Sequence, residues 1–376
     1  MHPHTVRTAT RVFCAAAALL AAAGIVVLAS ASQVRGVAVS GDAFFFVKRQ
    51  GISLAIGVAA AFVASRMRPA AWRTLAPWLA ALTVLLLAVV LGLGPKIGGS
   101  RRWLHLGGFS FQPSELAKLS VALMFAWWIA RVPRRMSRFR EGLVIPGAGL
   151  GLVLGLVLRE PDFGTTVVIG MLGWLVLFVA GAPPKTLVLG AVLASVALYG
   201  YLRLDPVRWA RVDTWLHPER HPELARQTLE SKKAFMAGGA AVNFGGGMQK
   251  HNYLPEVHTD FVFANVGEEL GVGGTLGVAA LFLTLTVCGS LISRGAADSF
   301  TSFLALGLTV AIALQALLNM CVVTGSLPTK GLALPFFSYG GSNLIVTLLE
   351  CGILAGLGRA ASRDSMAGEL GRLDSA

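Results

Sequence analysis

Glu256, His258 and Asp260 stand on alternate residues directly ahead of the apolar run Phe261-Val262-Phe263-Ala264. A carboxylate held against an apolar wall is expected to have its pKa pushed upward, toward general-base behaviour. A buried ion pair of Asp260 with His258 or a nearby arginine accounts for the same spacing. Spacing alone leaves both readings open.

Other residues offer related chemistry. Glu115 and Lys118 lie three apart, so on a helix they share one face. They are either an ion pair anchoring that helix or the lining of a polar cavity, with Lys118 offering a cation to an anionic substrate. Asp162 follows Pro161 and precedes an apolar run. It suits an N-cap, which accepts from free backbone N–H groups, as well as it suits catalysis. Arg101, Arg102 and Lys330 are fixed cations of the kind that suits a phosphate or diphosphate leaving group, though solvated loop charge explains Arg101 as well. His217 and His221 have the spacing of paired zinc ligands. Pro218 and Pro222 interrupt the helix that such ligands need and no Glu sits as in a zincin, so a zinc site is rejected.

The elements that must position these residues are lipid-soluble. Apolar residues make up 55% of the 376 positions and the mean hydropathy is +0.68. A bilayer core ~30 Å thick requires ~20 mostly apolar residues per helix. Candidate spans cover Val12–Ser30, Phe44–Ser65, Leu75–Gly94, Leu116–Ala130, Leu143–Leu158, Thr165–Ala182, Thr186–Leu202, Gly271–Ile292, Phe303–Val323 and Leu344–Leu357. The expected fold is all-α: a polytopic membrane protein of about ten helices, forming a single integral membrane domain over residues 1–376. A long loop of about 203–270, containing short helices, and short tails at 1–11 and 359–376 complete it. Gly147, Gly151 and Gly155 predict close packing of the fifth span on a neighbour. Arg7 and Arg11 before an apolar run resemble a signal peptide, but the run is long for one and reads as an uncleaved first span.

The net charge of +13 would suit nucleic acid, but its placement argues for topology. Arg66, Arg68 and Arg73 form one short-loop cluster, and Arg131, Arg134, Arg135, Arg138 and Arg140 form another. Such clusters favour the cytoplasmic side, and with ten crossings they put both termini there. The long loop, Gly99–Trp103, Gln112–Glu115, Glu160–Gly164 and Leu327–Gly341 then share the opposite, outer face with most of the nineteen acids. A transporter more often keeps its polar residues near the midplane. Cys14, Cys288, Cys321 and Cys351 sit in or beside apolar runs and read as packing residues. Glu350, inside the tenth span, reads as paired with another polar group.

Gly99–Trp103 with Gln112–Leu119, Glu160–Thr165, Tyr253–Gly271 and Leu327–Ser342, in this order, resemble the SEDS family of peptidoglycan glycosyltransferases, the FtsW/RodA/SpoVE proteins. The resemblance runs from the first span to Gly358. Gly267-Glu268-Glu269-Leu270-Gly271 and Pro328-Thr329-Lys330-Gly331-Leu332 look like the division branch. The elongation branch more often has Ala before the Glu pair and lacks the Thr-Lys. Glu160 departs from the pattern, standing where Gln is common, and so does Asn343, where a second Ser is usual.

The resemblance implies polymerisation of lipid II into glycan strands at the outer face of the cytoplasmic (inner) membrane, during septal division. Asp260 is then the catalytic carboxylate. Arg102, Glu115, Lys118, Asp162, His258, Lys330 and Ser338 are then the substrate-binding set. A class B penicillin-binding transpeptidase and other division-complex membrane proteins are the implied partners, with no nucleic acid. The resemblance leaves room for a divalent cation (Mg2+ or Mn2+), although no ligand cluster in the sequence demands one. An elongation polymerase of the RodA type, a lipid II flippase and a non-catalytic scaffold are the competing readings.

Overall fold

The computed structural model describes residues 3–97, 99–107, 109–239, 242, 245, 246 and 258–373. Helices dominate it: α1 (Pro3–Ala31), α2 (Gln33–Ser40), α3 (Phe45–Arg66), α4 (Pro69–Leu93), α5 (Pro113–Arg131), α6 (Ile145–Arg159), α7 (Phe163–Val179), α8 (Pro184–Arg203), α9 (Pro206–Leu216), α10 (Pro222–Gly238), α11 (Val262–Gly295), α12 (Ser299–Val323) and α13 (Gly341–Leu373). A two-stranded antiparallel hairpin, β1 (Leu104–Leu106) and β2 (Phe109–Phe111), lies between α4 and α5.

Each of the ten candidate spans falls on one of these helices. Eight helices are long and apolar enough to cross a membrane by length and composition. The other two are α7, apolar but only 17 residues long, and α5, which carries Glu115 and Lys118 inside 19 residues. The protein is a polytopic membrane protein. Backbone N–H and C=O groups have no water to bond in hydrocarbon, so long helices that satisfy their own backbone are the solution these apolar runs adopt. The 203–270 segment contains helices as expected, α9, α10 and the first turns of α11. Residues 247–257, which include Glu256 and part of the Tyr253–Gly271 motif, lie outside the described residues.

Contacts between remote parts of the chain establish which helix ends lie together. Tyr339, just before α13, packs on Phe46 at the start of α3, their ring centroids 4.9 Å apart. At the other end of both helices a Cβ on Gly356 would meet Ser65. The loops that carry Arg102, Asp162, Asp260 and Lys330 therefore gather at one end of the bundle. The arginine-rich turns gather at the other.

One expectation is corrected. Gly147, Gly151 and Gly155 face open space, with nothing within 4 Å of a Cβ at any of them. Close packing of this helix pair uses the glycines of α7 instead: a Cβ at Gly173 would stand 2.7 Å from Leu150 of α6. Spacing marks a smooth face but cannot say whether a neighbour occupies it. Glu350 has one carboxyl oxygen, Oε1, buried without a hydrogen-bond partner, although the charges of Lys118 and Glu115 reach it.

A backbone break in α11 shapes the gathered end. Gly271 has φ 63° and ψ −162°, a conformation that glycine tolerates because it lacks a Cβ. The chain kinks there, and Val272 N–H donates to the Gly239 carbonyl at 2.9 Å, tying α11 to the end of α10. The kink separates the short segment carrying Asp260 from the long apolar part of α11.

Candidate functional site

Asp260 lies two residues before the start of α11 on a short turn, and contacts from α12 and the α12–α13 loop fix its backbone. Asn319 of α12 donates from Nδ2 to the Asp260 carbonyl at 2.9 Å and to the Leu332 carbonyl at 2.5 Å. One amide thus ties the Asp260 turn to the α12–α13 loop. Ser338 adds a second tie. Its Oγ donates to the Thr259 carbonyl at 2.5 Å and accepts from Leu334 N–H at 2.7 Å. The His258 carbonyl accepts from Tyr339 N–H at 2.9 Å, and the His258 ring lies 4.9 Å from that of Phe46. A Cβ at Gly331 would stand 3.0 Å from Asp260 Oδ2, so the carboxylate looks onto bare backbone next to Lys330.

Lys330 connects this turn to α7. Its Nζ lies over the Phe163 ring, 3.9 Å from the centroid, a cation–π contact. Burial brings its ammonium down to about 8. Asp162, next to Phe163, caps α7 as its position predicts, Oδ1 accepting from Thr165 N–H at 3.2 Å. Oδ2 accepts from Gln112 Nε2 at 2.9 Å and Ser114 Oγ at 3.2 Å. Asp162 therefore joins the start of α5 to the start of α7. Arg102 approaches from the α4–α5 loop, Nε donating to the Glu160 carbonyl at 2.9 Å and Nη2 to that of Pro161.

Beneath these loops lies a second polar layer inside the bundle. Lys118 Nζ is 2.7 Å from Glu115 Oε2 in a pair whose side chains are 3% and 7% exposed. Lys118 also donates to Gln315 Oε1 of α12, and Gln315 Nε2 donates to the Ala333 carbonyl at 2.9 Å. Asn343 of α13 donates to Glu115 Oε2 at 2.8 Å. A charge in the bilayer interior is tolerated when it faces a partner or a cavity, and here α5, α12 and α13 supply the partners.

All eight residues singled out from the sequence thus lie on the gathered end or just below it. Sequence reasoning passed over Gln315 and Asn319, named Gln112 only as part of a motif, and noted Asn343 only as a departure. Gln315 and Asn319 carried a readable signal, since amides four apart inside an apolar span are costly without internal partners. Among the described residues, no three of His, Cys, Asp and Glu come together as ligands for a divalent cation.

Glu160 is the outlier. It is fully buried, and neither carboxyl oxygen has a hydrogen-bond partner. Burial pushes the acid up to about 9, with the neighbouring Asp162 adding to the rise and Arg102 opposing it. Because the folded state favours the proton, its contribution to stability is whole below the ordinary value of 4.5. It declines as pH rises and is gone past about 9. Glu160→Gln, a neutral near-isostere, is expected to remove that slope. The melting-temperature gap between variant and wild type should widen by a few degrees between about pH 5 and about pH 9. A gap that stays constant in scanning fluorimetry would show that Glu160 titrates normally.

The FtsW/RodA/SpoVE family model, described as "Cell cycle protein", matches residues 10–363. A Geobacter metallireducens protein named "Probable peptidoglycan glycosyltransferase FtsW" is 40% identical over 335 residues, 88% of this chain and 89% of its own. A Coxiella burnetii protein of the same name is 38% identical, covering 89% of this chain and 92% of its own. Among solved structures, one described as "Structural coordination of polymerization and crosslinking by a peptidoglycan synthase complex" superposes with a TM-score of 0.78. It is 30% identical and covers 93% of this chain and 97% of its own. The rod shape determining protein RodA of Thermus thermophilus superposes at 0.69 with 28% identity, covering 92% and 95%.

Proposed function

The chain belongs to the FtsW/RodA/SpoVE family of cell cycle proteins, and on that premise we propose that it polymerises lipid II into β-1,4-linked glycan strands. It is a peptidoglycan glycosyltransferase of the membrane. The observation that carries the reading is the convergence of Asp260, Lys330 and Arg102 on one end of the bundle, with the Asp260 backbone clamped by Asn319 and Ser338.

In the reaction, the Asp260 carboxylate accepts the proton of the acceptor sugar's 4-hydroxyl. That oxygen attacks the donor's anomeric carbon from the face opposite the leaving group. The carbon–oxygen bond to undecaprenyl diphosphate breaks, and the configuration inverts to β. Positioned proton acceptance of this kind contributes ~10²–10⁴-fold. Charge develops on the departing diphosphate, where fixed cations are most effective. Lys330, next to Gly331 at the Asp260 turn, and Arg102, held on the α6–α7 turn, take that role. Lys118, held by Glu115 and Gln315, supports them from the layer below. Glu115, Asp162, His258 and Ser338 shape the polar cavity, and the apolar faces of the spans receive the prenyl tails.

The arginine-rich end faces the cytoplasm with both termini, which puts the catalytic end outside. Residues 1–376 act as a single membrane domain. The Gly267–Gly271 and Pro328–Leu332 segments favour septal division over elongation. A class B penicillin-binding transpeptidase is the proposed partner, since the solved synthase complex couples polymerisation to crosslinking.

Purified protein given lipid II should build strands resolvable on a gel. A flippase would instead move lipid II between the leaflets of a vesicle and leave it unpolymerised, and that result would reverse the assignment. Septal fluorescence of a tagged chain is expected, and lateral patches would reassign it to elongation.

A further inference from the structure

At the end of the bundle away from Asp260, a cavity of about 610 Å³ opens between the first turns of α1 and the 355–363 stretch of α13. Four guanidinium-bearing side chains line it: Arg7 and Arg11 from α1, Arg359 and Arg363 from α13. A smaller cavity of about 210 Å³ adjoins it, sharing Arg359 and Arg363 and adding Arg66 and Arg68 from the α3–α4 turn. No carboxylate lines either one among the described residues. Arg359 donates to the Ser65 carbonyl at the end of α3, and Arg66 lies over the Phe62 ring, 4.7 Å from its centroid.

Six like charges around two joined cavities repel one another, and an anion seated among them would reverse the sign of that energy. Guanidinium groups match phosphate oxygens with paired N–H donors. The depth of the cavity narrows the source of the phosphate. Arg7 and Arg11 precede the apolar part of α1, and Arg359 and Arg363 follow the apolar run ending at Leu357, so the cations sit at headgroup level. Cys14 and Ala355 continue the lining toward the hydrocarbon, giving a charged mouth above an apolar floor.

We propose that this paired cavity binds the phosphate headgroup of an anionic phospholipid from the leaflet at the arginine-rich end, with an acyl chain following the groove between α1 and α13. The site does not depend on the glycosyltransferase reading. Bound lipid would hold the amino-terminal part of α1 and the end of α13 together, two segments that are distant in sequence.

Native mass spectrometry of the full chain, released from detergent with equimolar phosphatidylglycerol and phosphatidylethanolamine of matched acyl chains, tests the proposal. The wild type should retain phosphatidylglycerol preferentially. Arg7→Gln with Arg11→Gln should weaken that retention roughly thirtyfold, the expectation for removing two headgroup-level cations. Arg134→Gln with Arg135→Gln, exposed at the same end but not lining the cavity, should leave it unchanged. Equal losses from the two pairs would mean diffuse surface charge and overturn the site, as would no loss from either. Displacement of the lipid by millimolar inorganic phosphate would overturn the lipid assignment in favour of a soluble anion. Both variants should melt like the wild type, and a lowered melting temperature confined to the Arg7/Arg11 pair in lipid-free detergent would mark a folding role instead.

Discussion

Asp260→Ala is expected to lose at least about a hundredfold in glycan polymerisation, the lower end of what a positioned proton acceptor contributes, while the protein folds and melts as before. The structure separates the two outcomes. Asn319 and Ser338 hold the backbone carbonyls of Asp260 and Thr259, and these survive truncation of the side chain. Gly331 presents bare backbone beside the carboxylate, so no side chain at that position depends on it for packing. Asp260→Asn keeps the shape and removes the basic oxygen, so it should be nearly as inactive as alanine. Strand synthesis from lipid II by purified variants, read on a gel beside their melting curves, checks both. An alanine variant that polymerises normally would remove Asp260 from the chemistry. An asparagine variant that works as well as wild type would make it a hydrogen-bonding rather than a proton-accepting residue.

Lys118→Met should have the largest effect on stability. It leaves Glu115 in a site where the pair is almost wholly excluded from solvent, with Asn343 as its remaining donor. Removing one member of a buried pair typically costs ~3–5 kcal/mol, because the other charge is stranded. It also removes the link from Lys118 to Gln315 that joins α5 to α12. The variant should lose monodispersity in detergent and melt well below wild type. Replacing both residues, Lys118→Met with Glu115→Gln, should recover most of the loss, since neither charge is then stranded. Polymerisation by that double variant separates two roles for Lys118. Wild-type rates would confine it to holding the bundle, whereas a folded but inactive protein would make its charge part of substrate binding. A Lys118→Met single variant as stable as wild type would contradict the importance of the pair.

The residues differ in how far their roles could be read in advance. Asp162 was legible as a cap because its partner is three residues away, and the structure has that bond. Glu115 and Lys118 were legible as a pair for the same reason, yet their further partners Asn343 and Gln315 lie on other helices. Asn319 stayed hidden, although it holds both the Asp260 turn and the Leu332 carbonyl. The glycines of α6 misled, because small residues create the opportunity for close approach without saying which helix takes it.

The apolar runs that become helices and the collection of the polar motifs at one end were determined by the sequence itself. Hydropathy over ~20 residues and the alternation of loops between faces are properties of position along one chain. Only the tertiary structure decided which side chains complete the site, that Glu160 is buried without a hydrogen-bond partner, and that six arginines surround two adjoining cavities at the far end. Those outcomes depend on helix rotation and packing between residues separated by up to hundreds of positions. A few dispersed contacts set that geometry, and no local pattern of residue types encodes it.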